Sequence, residues 1–217
     1  MKLRPRLRTR AVTRRVVRDV RLNPDAAGAI LAPIYEALPK TAAVGQHNLT
    51  YGEIEWPALK AICTYTEKVS GSQKGKFYDL GCGRGRAVLY MGLTGLFDLS
   101  VGIEVLPERT SLAHQALNTL KNSIPNAGSR VRLYEGSFLN TAFKYRDAKV
   151  VFLSNMCFDD TTQTAIFSKL NNEMPKDSLV FCCRAPSTLP SAFEAVGVEK
   201  VPMSWIPQTE LYILRHL

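Results

Sequence analysis

The chain has 217 residues, 46% hydrophobic and 22% charged, with a formal net charge of +9. That length suits one compact domain with short additions, and no apolar run approaches the roughly 20 residues that span a bilayer, so no membrane partner is expected. Five cysteines without a C-x-x-C pair and three histidines give neither a disulfide framework nor a zinc spacing; no metal is expected, and a reducing compartment is the simpler inference.

Residues 1–22 form a basic arm. Lys2, Arg4, Arg6, Arg8, Arg10, Arg14, Arg15, Arg18 and Arg21 are opposed there only by Asp19. Such a segment attracts polyanions through phosphate pairing and counterion release, so residues 2–21 are expected to contact nucleic acid. The same Arg-rich, acid-poor composition also reads as a mitochondrial presequence or as a solvated tail. Residues 23–75 read as N-terminal helices with a covering loop. Asn23-Pro24 opens a helix over 24–38 as cap and first-turn proline. A loop over 40–54 contains Tyr51-Gly52-Glu53. A second helix follows over 55–69, with Leu59, Ile62, Cys63 and Val69 as its apolar positions and Ser70-Gly71-Ser72 at its end.

From 76 to 217, short apolar strands alternate with helices. Strands are expected at 76–80, 99–104, 131–134, 149–153 and 178–183. Helices are expected at 86–96, 107–122, 161–173 and 189–196. A hairpin over 198–203 and 210–215 finishes the chain. Continuous apolar strands separated by helices predict an α/β fold with a mainly parallel sheet covered on both faces. Ligands in that architecture sit beyond the carboxyl ends of the strands.

The segment Asp79-Leu80-Gly81-Cys82-Gly83-Arg84-Gly85 leaves the first of these strands and opens a helix. Gly81, Gly83 and Gly85 let the backbone turn and approach a ligand with no Cβ in the way. Asp79 stands where its carboxylate can receive the amino group of a methionine moiety. Arg86 occupies the third-glycine place of the dinucleotide fingerprint. Glu104 ends the second strand, where an acid can accept hydrogen bonds from ribose hydroxyls. Phe138 follows the third strand and can stack on adenine, with Ser137 near its edge. Glu104 supports an adenosine ligand without choosing between NAD and S-adenosylmethionine; with Asp79 placed for an amino group, S-adenosylmethionine is the cofactor expected.

At the end of the fourth strand stands Ser154-Asn155-Met156-Cys157-Phe158. Asn155 can orient an acceptor or the cofactor by hydrogen bonding, or cap the next helix. Cys157 reads as a nucleophile or as a packing residue.

Several segments together resemble the non-SET histone H3 lysine methyltransferases, the disruptor-of-telomeric-silencing family. The family's Tyr-Gly-Glu is similar to Tyr51-Gly52-Glu53, its cofactor loop to Asp79–Gly85, and its Gly-Ile-Glu to Gly102-Ile103-Glu104. Its Gly-Asp-Phe-Leu resembles Gly136-Ser137-Phe138-Leu139, and its Asn-Asn-Phe-Ala-Phe resembles Ser154–Phe158. A Ser-Trp and a later Tyr match Ser204-Trp205 and Tyr212. The chain departs from the family pattern at Ser137, Ser154 and Ile54. The resemblance implies a class I methyltransferase, Rossmann-like fold with a seven-stranded sheet and a C-terminal antiparallel hairpin. It implies cofactor contacts at Tyr51, Glu53, Asp79, Gly81, Gly83, Gly85, Glu104, Ser137, Phe138 and Asn155. Asn155, Phe158, Trp205 and Tyr212 would form the catalytic lysine channel. Nucleosomal histone H3 would be the acceptor and the nucleus the address. The residues alone also accommodate an RNA or small-molecule methyltransferase, or a non-catalytic nucleic-acid-binding module on the same fold.

Overall fold

A computed structural model describes residues 20–41, 52–70 and 75–217. Tyr51 and most of the basic arm, all but its last residues, lie outside the described residues.

Helix α1 spans Pro24–Ala37. The Asn23 side chain accepts the Ala26 amide at 2.8 Å, and Pro24 occupies the first turn, where its missing N–H costs nothing. Helix α2 spans Trp56–Ser70. Its buried stripe runs through Leu59, Ile62, Cys63 and Thr66 at helical spacing. Val69, expected on that stripe, is 51% exposed; the 3.6-residue repeat carries it past the edge of the contact.

The seven strands are β1 (Lys76–Leu80), β2 (Leu99–Glu104), β3 (Val131–Glu135), β4 (Ala148–Leu153), β5 (Leu179–Cys182), β6 (Phe193–Val201) and β7 (Thr209–His216). They lie in the order β3-β2-β1-β4-β5-β7-β6. The first five pair in parallel, and β7 runs antiparallel to both β5 and β6. This is the mainly parallel sheet with a C-terminal hairpin that the class I methyltransferase resemblance implies.

The helix expected over 189–196 does not form. Phe193–Val201 is instead the outer strand of the hairpin, paired with β7 along its length. Phe193 packs edge-on against Phe167 and His216, 6.1 and 5.0 Å between centroids. Cross-strand hydrogen bonds and those ring contacts outweigh the helical pattern read from Leu189 to Val196.

Alternation along the strands divides the core in two. Phe77, Val150, Phe152, Phe181 and Ile213 face one side, with α1, α2, α3 (Arg86–Thr94) and α4 (Pro107–Ser123) packed over them. Tyr78, Val151, Leu153, Val180 and Leu214 face the other, where Ile166, Phe167 and Leu170 of α5 (Asp160–Glu173) cover them. Helix α3 is buried from Ala87 to Leu93. It lies between sheet and outer helices, which explains its apolar residues on every side.

Candidate functional site

The loop after β1 turns through three glycines with positive φ: Gly81 at 88°, Gly83 at 53° and Gly85 at 79°. These are left-handed conformations that side chains disfavour. The loop presses onto β2 at Gly102, where a Cβ would meet Cys82 Sγ and Val88 Cγ2 at 2.7 Å. Gly102 is therefore part of the site's scaffold, a role visible only in three dimensions.

Asp79 pairs in register with Gly102, two residues before Glu104. Because side chains alternate, both carboxylates project from the same face of the sheet. They line one cavity of about 390 Å³ together with Gly81, Gly83, Ser137, Phe138 and Phe158. Glu104 is held in place by the backbone. Its Oε2 accepts the Gly83 amide at 2.8 Å, and its Oε1 accepts the Val105 and Leu106 amides at 3.0 Å each. Those bonds fasten the glycine loop to the start of α4, and Oε2 retains one lone pair for a ligand. Asp79, by contrast, accepts no hydrogen bond among the described residues and is 3% exposed. Burial, and secondarily the charge of Glu104, raise its carboxyl from 3.8 to about 8.

Phe138 is held by its own backbone: the buried Tyr145 hydroxyl donates to its carbonyl at 2.6 Å. Its ring stacks on Phe158, 5.5 Å between centroids at 27°. Phe158 in turn lies over Gly81, where a Cβ would sit 3.4 Å from its ring. Ser137 lines the cavity, and its hydroxyl accepts the Leu139 amide at 3.2 Å. Val105, directly after Glu104, is 48% exposed and also lines the cavity. With Phe138 it offers apolar surface for a planar group. Its position directly after a strand-end acid is the sequence signal that marks it.

Glu53 lines the cavity but spends its carboxylate on arginines. It pairs with Arg84 at 2.8 Å and with Arg86 at 2.6 Å. Arg86 also lies 4.7 Å over the Trp56 ring and reaches Glu55. An arginine at the fingerprint's third-glycine place thus ties the loop to the segment before α2. That segment is held from its other side as well. Ile54 bridges Met203, the Glu53 amide donates to Ser204 Oγ at 2.8 Å, and Gly52 lies against the Trp205 ring.

The expected lysine channel is assembled in part. Phe158 and Ser154 line the cavity, and Trp205, 36% exposed, sits at its Gly52 side. Tyr212 does not line it. Alternation in β7 puts Tyr212 on the Leu214 side of the sheet, and its hydroxyl donates to Glu210 at 2.5 Å. Asn155 does not line it either. It is fully buried, and its amide is committed to Gln163 and to the backbone of Arg184. Among the described residues no group of His, Cys, Asp and Glu is arranged to hold a metal, and no helix is long and apolar enough to cross a membrane.

A family model described as histone methylation protein DOT1 matches residues 37–181. No curated protein sequence matches the chain. Among solved structures, a candidate RNA methyltransferase from Pyrococcus horikoshii superposes with a TM-score of 0.59 at 11% identity, over 88% of this chain and 96% of that one. A candidate methyltransferase, yhhF, from Escherichia coli gives 0.57 at 14%, over 82% and 90%. An rRNA methylase from Streptococcus thermophilus gives 0.53 at 12%, over 73% and 96%. At such identities the likeness is one of fold.

Proposed function

This chain belongs to the DOT1 histone methylation family, and on that premise we propose that it methylates the side-chain amine of a lysine in a protein, with nucleosomal histone H3 as acceptor. At the coarser level it is an S-adenosylmethionine-dependent methyltransferase. The observation the finer reading rests on is one cavity lined by Asp79 and Glu104, from the same sheet face, together with Phe138 and Phe158 from the loops after β3 and β4.

The residues present fit the cofactor. Asp79 offers a cavity-facing carboxylate to an ammonium group, and the free lone pair on Glu104 Oε2 suits a ribose hydroxyl. Phe138 and Val105 offer apolar surface to a purine. The missing Cβ atoms at Gly81 and Gly83 leave room for close approach. S-adenosylmethionine, when bound, supplies a methyl group already made electrophilic by its sulfonium.

What the chain must then do is present a neutral amine. A free lysine titrates near 10.4, so deprotonation at pH 7 costs about 4–5 kcal/mol. Phe158 at the cavity wall and Trp205 beside Gly52 would strip water from an entering side chain and lower that cost. Their ring faces would also favour the methylated ammonium product. A nucleosomal acceptor implies a nuclear address.

The test is to incubate the protein with labelled cofactor and separate panels of nucleosomes, free histones and RNA. Label recovered as methyl-lysine in histone H3 is the expected result. Label confined to RNA would overturn the protein-amine reading.

A further inference from the structure

Asn155 sits beside the acceptor end of the cavity without reaching it, and its bonding explains why. Its Nδ2 donates to Gln163 Oε1 at 2.8 Å and to the Arg184 carbonyl at 2.7 Å, while its Oδ1 accepts the Arg184 amide at 2.9 Å. Gln163 closes the ring by donating Nε2 to the same Arg184 carbonyl at 2.9 Å. The Asn155 carbonyl accepts the Phe158 amide at 3.2 Å, and the Arg184 guanidinium donates to the Phe158 carbonyl at 2.6 Å. Asn155 is 0% and Gln163 4% exposed. A buried ring that uses every one of these polar groups has one favoured geometry, because any displacement leaves a donor or acceptor unpaired.

The ring joins three elements: the residue two places beyond β4, the first turn of α5 and the residue two places beyond β5. Ser154, directly before Asn155, and Phe158, three residues after it, line the cavity. We propose that Gln163 is a positioning residue for methyl transfer: through Asn155 and the Arg184 backbone it fixes the loop that carries Ser154 and Phe158, and neither amide touches the reactants. The inference rests on the methyltransferase reading of the same cavity, and it assigns Asn155 a scaffold role in place of the expected catalytic one.

The experiment combines hydrogen exchange with turnover in the full chain, using Gln163→Leu, Asn155→Ala and the double variant. Exchange at the amides of Phe158 and Arg184 is expected to accelerate in Gln163→Leu, while the amides of β1 and β2 keep their protection. Turnover is expected to fall roughly tenfold to a hundredfold with cofactor affinity within about twofold, since misplacement acts on the acceptor side. Both single variants and the double should lose the same amount, the signature of residues acting as one unit. Gln163→Glu keeps the acceptor for Asn155 and loses only the donor to Arg184, so it serves where the leucine variant does not fold; an intermediate loss is expected. Unchanged exchange at Phe158 and Arg184 in a folded variant would overturn the proposal. So would a further fall in turnover when Asn155→Ala is added to Gln163→Leu, which would put Asn155 on the reactants. Accelerated exchange in a protein that methylates none of nucleosomes, histones or RNA would support the ring and sink the activity.

Discussion

The Asp79 carboxyl stands where ionisation is costly: burial comes first and the charge of Glu104 second, raising it from 3.8 to about 8. An ammonium group arriving beside it would favour the ionised form. Cofactor binding near neutral pH is therefore expected to release a proton, and affinity to strengthen as pH rises toward about 8. Asp79→Asn should abolish the release and weaken binding about tenfold to a hundredfold, the worth of one charge-assisted hydrogen bond. Calorimetry in buffers of different ionisation enthalpy measures both; no proton release in the wild type would remove Asp79 from the ammonium site. The linkage to stability has a definite sign. Between the unfolded and folded values the native state holds a proton that the unfolded chain has lost, so this group's contribution falls as pH rises from about 4 through 8. Asp79→Asn should flatten that slope in urea titrations. Asp79 and Glu104 were legible in the sequence because each lies at the carboxyl end of an apolar strand, Asp79 one residue short of its end and two before the first glycine, Glu104 at the last position. The bonding of Asn155 was not, since Gln163 and Arg184 lie 8 and 29 residues away and no local pattern encodes the meeting.

At the level of elements, the segment before α2 behaves as a strap between the glycine loop and the β6–β7 turn. Glu53 is its anchor, with a side chain about 10% exposed between two guanidinium groups that are 9% and 14% exposed. Removing the carboxylate leaves both cations without their shared counter-ion. Glu53→Ala is expected to cost about 3 kcal/mol in urea unfolding. Arg86→Ala should cost less, about 1–2 kcal/mol, because Arg84 still holds Glu53 through two hydrogen bonds. The reverse order would show that the strap is held by the Trp56 contact and not by charge. The Tyr-Gly-Glu motif pointed to this segment as a cofactor contact, whereas Glu53 pairs with Arg84 and Arg86, which read in sequence only as parts of the glycine loop. Leu189–Val196 failed for a related reason. Its pattern admits a helix, and only the presence of β7 beside it decides for a strand.

For the whole molecule, the sequence shows which strands alternate with which helices, but not their lateral order. The order β3-β2-β1-β4-β5-β7-β6 puts β1 and β4 side by side although the chain leaves them in opposite directions, and the cavity opens at that divergence. The charge distribution is the complementary case, legible in full from sequence. Nine of the 28 lysines and arginines fall within residues 2–21, against a single acid, and the rest of the chain is nearly neutral. Each phosphate neutralised adds about 0.9 to the slope of log affinity against log salt, so an arm engaging six or more would dominate both affinity for nucleosomal DNA and its salt sensitivity. Deleting residues 2–21 should therefore weaken DNA binding by about 10³-fold or more at low salt and flatten the slope by several units. Cofactor affinity should stay unchanged, because Asp79, Glu104 and Phe138 line a cavity in the α/β body, Asp79 and Glu104 from the sheet and Phe138 from the loop after β3. Binding of labelled duplex DNA across a salt series, beside cofactor calorimetry on the same preparation, separates the two. Persistence of the full salt slope after deletion would move the polyanion contact onto the α/β body, and loss of cofactor affinity would make the arm part of the site.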